Sequence, residues 1–310
     1  MTTSVIIPTY NAQEYLPALL EKLRVQTAAF ELIIIDSSSK DDTVTIAKRY
    51  TDKIIIIPQS EFDHGGTRTE AAKTASGEIV VFLTQDALPV DNYAIERIIK
   101  AFEDTHIGAA YGRQIPYPDT TLFGKHLRGF NYPETSHIRS YQDRERYGMK
   151  TVFLSDSFAA YRVTSLKKID WIKNGLISSE DSYAGAKMLL ADYSLAYVSD
   201  AQVYHSHSYS VIEEFKRYFD IGVFYRRQKW ILESFGKAEG EGGRYVKSEF
   251  RYLLKHNAYL KIPEFFIRNG MKYLGYKLGQ HYENLPKGLI QKISMHPLWW
   301  KKLESTHSIA

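Results

Sequence analysis

Four short apolar runs, each followed by a segment with helical spacing, constrain this 310-residue chain more than any other feature. The runs are residues 4–7, 31–35, 54–57 and 78–83, rich in Val and Ile and continuous rather than alternating. Such strands are buried on both faces, which requires a parallel sheet with helices on either side. Segments 12–26, 41–50, 67–74 and 92–102 supply the helices. In the first of them Leu16, Leu19, Leu20 and Leu23 form one stripe, with Asn11 placed to cap it; Gly77 stops the third. The expected fold is α/β, a Rossmann-like, mostly parallel sheet flanked by helices.

In a sheet of this type ligands bind beyond the carboxyl ends of the strands. Polar clusters stand there: Pro8-Thr9-Tyr10-Asn11 after the first strand, Asp36-Ser37-Ser38-Ser39 after the second and Thr84-Gln85-Asp86 after the fourth. Helix capping accounts for Asn11, Ser39 and Asp41 one at a time. It does not account for Asp36 or Asp86, each of which closely follows an apolar run.

Further along, 111–149 has weak periodicity with several Pro and Gly, and reads as long loops and short elements. Residues 152–161 suggest a strand pair or a strand entering a turn. Ser179-Glu180-Asp181-Ser182 opens a helix over 183–190, and 195–198 and 202–204 are short strands ending at His205-Ser206-His207. From Ser210 onward the pattern is helical, over 211–233, 244–260 and 263–280, with 239–243 a Gly/Glu-rich connector. This divides the chain into 1–210 and a helical extension, 211–310. The extension holds 18 Lys and Arg against 10 Asp and Glu, whereas the remainder is net acidic. The basic residues are scattered and no nucleic-acid module is present, so nucleic acid is not an expected partner.

With no cysteine, disulfide scaffolds, thiolate zinc sites and cysteine nucleophiles are excluded. The first residues show no secretory pattern, and no apolar run approaches the roughly 20 residues of a membrane span, so a cytoplasmic location is expected. P-loop, GxGxxG, HExxH and GxSxG signatures are all missing.

Three constellations can carry chemistry. Asp86 at a strand mouth is either a turn residue or an oxygen ligand for Mg²⁺ or Mn²⁺, to which His205 or His207 would add nitrogen, the two together or one while the other packs. Glu180-Asp181 either favours the helix dipole or presents a general base to a hydroxyl. Phe62-Asp63-His64-Gly65-Gly66-Thr67-Arg68 is either a turn with a cap or a phosphate-binding helix start.

Taken together, Pro8 to Asn11, Asp36 to Thr43, the helix from Arg68 to Gly77 and Phe82 to Asp86 resemble the inverting glycosyltransferase family 2, of GT-A fold. Phe62 to Arg68 and Leu83-Thr84-Gln85-Asp86-Ala87 resemble its bacterial rhamnosyltransferase branch. The likeness covers 3–210. It implies a nucleotide-sugar donor, with Pro8, Thr9, Tyr10 and Asn11 at the nucleoside, Asp36 and Ser38 near the base, and Asp63 and Arg68 near base and diphosphate. Thr84, Gln85 and Asp86 stand where the family has Asp-x-Asp, so Thr84 replaces the first acid and favours a deoxynucleoside. The resemblance makes Asp181 the base beside Glu180, and Asp86 with His205 (His207 second) the Mn²⁺ or Mg²⁺ site. It implies rhamnose transfer from dTDP-L-rhamnose to a saccharide on a lipid carrier, at the inner face of the plasma membrane. A UDP-sugar donor and a catalytically silent nucleotide-sugar-binding scaffold are the alternatives.

Within 244–310, Phe265, Phe266, Tyr273, Tyr276, Trp299 and Trp300, with Lys272, Lys277, Lys301 and Lys302, suit an anionic membrane surface. Equally, they suit a helical packing layer or a homodimer interface.

Overall fold

The four apolar runs lie side by side in the computed structural model, which describes residues 1–236 and 239–307. They form β1 (Thr3–Thr9), β2 (Glu31–Asp36), β3 (Ile54–Ile56) and β4 (Ile79–Leu83), paired in parallel in the order β3-β2-β1-β4. Between and after them come α1 (Leu16–Arg24), α2 (Thr43–Ala47), α3 (His64–Thr74), the short β5 (Leu88–Pro89) and α4 (Ala94–Lys100). Side chains alternate along each strand. Val5, Ile7, Ile34, Val81 and Leu83 therefore meet the α1 stripe and α4 on one face, while Ile6, Ile33, Ile35, Val80 and Phe82 meet α3 on the other. All four leucines of the stripe are buried, each contributing about 2 kcal/mol of gross burial energy.

The second half of the sheet is mixed. β6 (Ile107–Ile115), α5 (Leu122–Asn131), β7 (His137–Arg139), α6 (Arg144–Tyr147), β8 (Phe158–Arg162), α7 (Val163–Lys168), α8 (Glu180–Leu190) and β9 (Ser194–Tyr204) continue the chain. The sheet extends from β4 through β8, β6 and β9 to β5. β8 runs antiparallel to both β4 and β6, and β9 runs parallel to β6. β6 and β9 run in the same direction as β4, and the segment after β4 crosses the sheet edge so that β5 pairs with the end of β9, Leu88 opposite Tyr204, which brings Asp86 to His205 and positions the site.

Several local expectations need correction. Asn11 does not cap α1; it adopts a positive φ and its side chain accepts from the Lys40 backbone, tying the first loop to the second. α3 begins at His64, not at residue 67, because Asp63 caps it by accepting from Gly66 N at 2.7 Å. Region 111–149 is not mainly loop: it contains most of β6 and all of α5. The two strands expected over 195–204 are one strand with a bulge opposite Gly112 and Arg113.

After β9 the chain is helical: α9 (Val211–Arg227), α10 (Lys229–Phe235), α11 (Glu239–Lys255), α12 (Ile262–Gln280), α13 (Lys287–Ile293) and α14 (Pro297–His307). Segment 239–243, expected as a connector, is the first part of α11. α9 and α12 cross at backbone distance. A Cβ on Gly279 would lie 2.0 Å from Phe219 O, and one on Gly222 2.3 Å from Tyr276 O. Phe219, Val223, Phe224, Ile231, Ile290 and Trp300 share one apolar core with Tyr161 and Leu189, so the extension is continuous with the sheet domain.

Candidate active site

Loop ends are first fastened to one another. The buried Asp36 carboxylate accepts from Thr9 Oγ1 at 2.8 Å, Ser39 Oγ at 2.6 Å and Ser39 N at 2.8 Å. Gln85 pairs with the Tyr10 backbone in both directions, accepting from its N at 2.9 Å and donating to its carbonyl at 3.3 Å. Ser38, at a positive φ, donates to Ile57 O. Asp36 and Gln85 thus spend their polar atoms holding the β1, β2 and β4 mouths together, and Pro8 lies within β1 itself.

β4 then delivers Asp86, and β9 delivers His205 and His207. The Nε2 atoms of the two histidines lie 3.5 and 3.6 Å from Asp86 Oδ2, and the three ligand atoms fall within 4.8 Å of one another. His205 Nδ1 lies 2.8 Å from Gln114 Oε1, and Gln114 Nε2 donates to Ser155 Oγ at 2.9 Å. The amide orientation therefore puts the ring proton on Nδ1 and leaves the Nε2 lone pair facing the carboxylate. Burial pushes His207 down to about 4 and lowers His205 as well. Burial opposes the charge on Asp86, but where the imidazoles carry protons, at low pH, His205 and then His207 outweigh it and hold its carboxyl below the ordinary range. At neutral pH the cluster is one carboxylate with two neutral imidazoles, a donor set that fits a divalent cation. Two nitrogens with one oxygen suit Mn²⁺ better than Mg²⁺.

Asp181 enters from the first turn of α8, after Ser179 in a left-handed conformation. Its Oδ1 accepts from Ser182 N at 2.6 Å. Burial raises its carboxyl to about 8, reinforced by the neighbouring charges of Glu180 and Asp156. Glu180 goes the other way: burial would raise it, but His64 and Arg68 overcome that and lower it. Arg68 Nη1 lies 3.3 Å from Glu180, and Arg68 Nε lies 3.6 Å from Asp156. Asp156, itself raised to about 6 by burial, also accepts from Tyr161 OH at 2.6 Å. A buried Asp156–Arg68–Glu180 layer thus supports Asp181 from behind, and Arg68 faces these carboxylates rather than open space.

One cavity of about 410 Å³ is lined by Thr84, Asp86, Asp181, His205 and His207 together, so residues from β4, α8 and β9 do converge. Arg128, Arg217, Tyr209 and Lys272 complete its walls. A second cavity of about 400 Å³ lies between Tyr10, Ser37, Asp63 and His64 on one side and His296, Pro297 and Trp299 on the other. Asp63 caps α3 and also accepts from Gly175 N at 3.1 Å. Gly65 is explained by packing, since a Cβ there would sit 2.2 Å from Lys173 O. A larger groove of about 670 Å³ along α3 and Trp171 holds none of the paired acids of the site. Sequence reasoning missed Asp156, Arg128, Arg217 and His296; Thr121, which caps α5 by accepting from Gly124 N, was the available signal for the helix carrying Arg128.

Residues 4–170 match the family model "Glycosyl transferase family 2", and the chain belongs to that family. It is 43% identical, over 99% of both chains, to the O-antigen chain rhamnosyltransferase RfbN of Salmonella typhimurium. It is also 43% identical, over 98% of both chains, to WbaN of Salmonella anatum, another O-antigen chain rhamnosyltransferase. Among solved structures, the mannosyltransferase PcManGT of Pyrobaculum calidifontis, in complex with GDP-Man and Mn²⁺, superposes with TM-score 0.61 at 15% identity, covering 91% of this chain and 88% of that one. Staphylococcus aureus TarS 1–349 superposes with TM-score 0.54 at 19% identity, covering 91% of each chain. These likenesses establish the fold as that of the glycosyltransferases.

Proposed function

We propose that this chain transfers L-rhamnose from dTDP-L-rhamnose to a hydroxyl of a lipid-linked saccharide during assembly of a cell-surface polysaccharide, with inversion at the anomeric carbon. The reading is carried by one cavity lined jointly by Asp86, Asp181, His205 and His207. The 43% identity to two O-antigen chain rhamnosyltransferases supports the sugar assigned.

Asp181 acts as general base. Its raised proton affinity suits it to take the proton of an acceptor hydroxyl as the C–O bond forms. The oxygen attacks the anomeric carbon from the face opposite the diphosphate, which departs in the same step. Glu180 and Arg68 hold the first turn of α8 and keep Asp181 oriented. Asp86, His205 and His207 would hold Mn²⁺ or Mg²⁺, which supplies positive charge against the departing diphosphate when bound. The nucleoside occupies the cavity between Tyr10, Ser37 and Trp299, with Asp63 at its edge. Thr84 offers the ribose side a hydroxyl in place of a carboxylate, in keeping with a deoxynucleoside.

The membrane side of the proposal narrows to α12 and the turn before it. Phe265, Tyr276, Trp300 and Lys272 are buried, so they belong to the packing layer. Tyr259, Leu260, Phe266, Ile267, Tyr273 and Leu274 are exposed and form an apolar face suited to a lipid surface, at the inner leaflet, or to a second copy. Among the described residues no helix is long and apolar enough to cross a membrane.

Thermal shift with dTDP against UDP in the presence of Mn²⁺ tests the donor. The larger shift is expected with dTDP; a larger shift with UDP favours a UDP-sugar enzyme. A scaffold subunit would hydrolyse no donor, whereas slow Asp181-dependent donor hydrolysis is expected here.

A further inference from the structure

Arg128 projects from α5 into the wall of the catalytic cavity, and only 8% of it is exposed. A buried guanidinium normally faces a carboxylate, because an uncompensated buried charge is costly. Arg128 faces none. Among the described residues it makes no ion pair, and its Nε has no hydrogen-bond acceptor. Its guanidinium carbon lies 5.8 Å from the centre of the Tyr132 ring.

The nearby carboxylates are already committed. Glu214 on the same wall is engaged by Arg268 at 3.1 Å and Lys272 at 3.3 Å. Asp86 faces the two histidines, and Asp181 Oδ1 accepts from Ser182. Arg217, from α9, lines the same cavity from its solvent-exposed side and has no carboxylate partner among the described residues; its guanidinium lies over the Tyr209 ring at 5.5 Å. One buried and one exposed arginine, neither in an ion pair among the described residues, thus share one cavity with the cluster formed by Asp86, His205 and His207.

We propose that Arg128, with Arg217, is an anion-binding pair that takes a diphosphate oxyanion inside the catalytic cavity. Guanidinium forks match phosphate oxygens in geometry and charge, and an anion in the cavity satisfies the unpartnered Nε. This rests on the reading of the site as a glycosyltransferase centre, and it adds two residues to the groups that meet the sugar diphosphate. The same chemistry is offered by the donor's diphosphate and by the diphosphate of a lipid carrier.

The test uses the full-length protein with Mn²⁺ and inorganic pyrophosphate as the probe in titration calorimetry. Arg128→Met is expected to weaken pyrophosphate binding by about tenfold or more, with partial recovery in Arg128→Lys. Its Tm is expected to be unchanged or higher, because the charge lacks a partner in the free protein. Affinity within twofold of wild type, or a lowered Tm with affinity retained, assigns Arg128 a structural role and overturns the proposal. Steady-state kinetics then locate the anion. A raised KM for the nucleotide sugar places it on the donor, and a raised KM for the lipid-linked acceptor places it on the carrier; if neither moves by twofold, the proposal fails. Pyrophosphate carries no rhamnose. Arg128-dependent binding by a wild type that transfers no rhamnose would therefore refute the donor assignment and leave the anion site standing.

Discussion

Replacing Asp181 by Asn should raise stability at neutral and alkaline pH and sharply lower transfer. The Asp181 carboxyl is moved from its ordinary 3.8 to about 8, first by burial and then by Glu180 and Asp156. A group that binds its proton more tightly when folded favours the folded state at low pH. Between pH 4 and 8 the unfolded chain gives up this proton while the folded chain keeps it, so stability falls across that window. Four pH units correspond to about 6 kcal/mol, an upper figure for the penalty carried by the wild type at pH 8. Asn has nearly the same shape and does not titrate, so the variant should lose this slope. The assay is chemical denaturation of both proteins at several pH values from 5 to 8.5, in EDTA, beside a transfer assay. The variant should gain several kcal/mol over wild type by pH 8 while transfer drops by about 10²–10⁴-fold, the usual contribution of a general base. Parallel stability curves would refute the electrostatic account, and near-normal transfer would remove Asp181 from the mechanism.

Further outcomes follow from the same geometry. Asp86→Ala and His205→Ala should each abolish Mn²⁺ binding followed by electron paramagnetic resonance, while His207→Ala, at the more exposed ligand, should weaken it. The acid limb of kcat against pH should lie well above the ordinary carboxylate range, because Asp181 must be deprotonated to accept a proton; a limb near pH 4 contradicts the raised value. Gly279→Ala should cost about 1–3 kcal/mol in denaturation, since its methyl would collide with Phe219 O where α9 and α12 touch. Exchanging Phe266 and Tyr273 for Ser should reduce flotation with anionic liposomes without changing Tm; unchanged flotation assigns that face to another partner.

How much of this was legible in sequence depended on whether the signal was local. β1 to β4 were readable because their apolar runs are continuous and their helices carry clean stripes such as Leu16 to Leu23. Asp86 stood out for the same reason, as an acid at the mouth of an apolar run. β6 was hidden by Gly108 and Gly112, which dilute its β signal. Those glycines are needed because a Cβ on Gly112 would lie 2.3 Å from the Phe158 ring. Asn11 was misassigned because its partner, the Lys40 backbone, lies 29 residues away. Asp156 and Arg128 were invisible for a like reason. Each has a meaning only beside residues brought in by tertiary contact: Arg68 and Glu180 for the first, the open cavity for the second. The basic, aromatic tail split between the two readings it allowed, with Phe265 and Trp300 buried and Phe266 and Tyr273 exposed.

Central to the account is a single catalytic pocket where a base on α8 and a cation cluster at the ends of β4 and β9 act on one sugar nucleotide. Incubation with a panel of nucleotide sugars and a synthetic lipid-linked acceptor, read by mass and by the anomeric configuration of the product, tests it most directly. The account predicts one added deoxyhexose from dTDP-L-rhamnose, with configuration opposite to that in the donor and dependent on both Asp86 and Asp181. A product of retained configuration, or transfer only from a UDP-hexose, would contradict it.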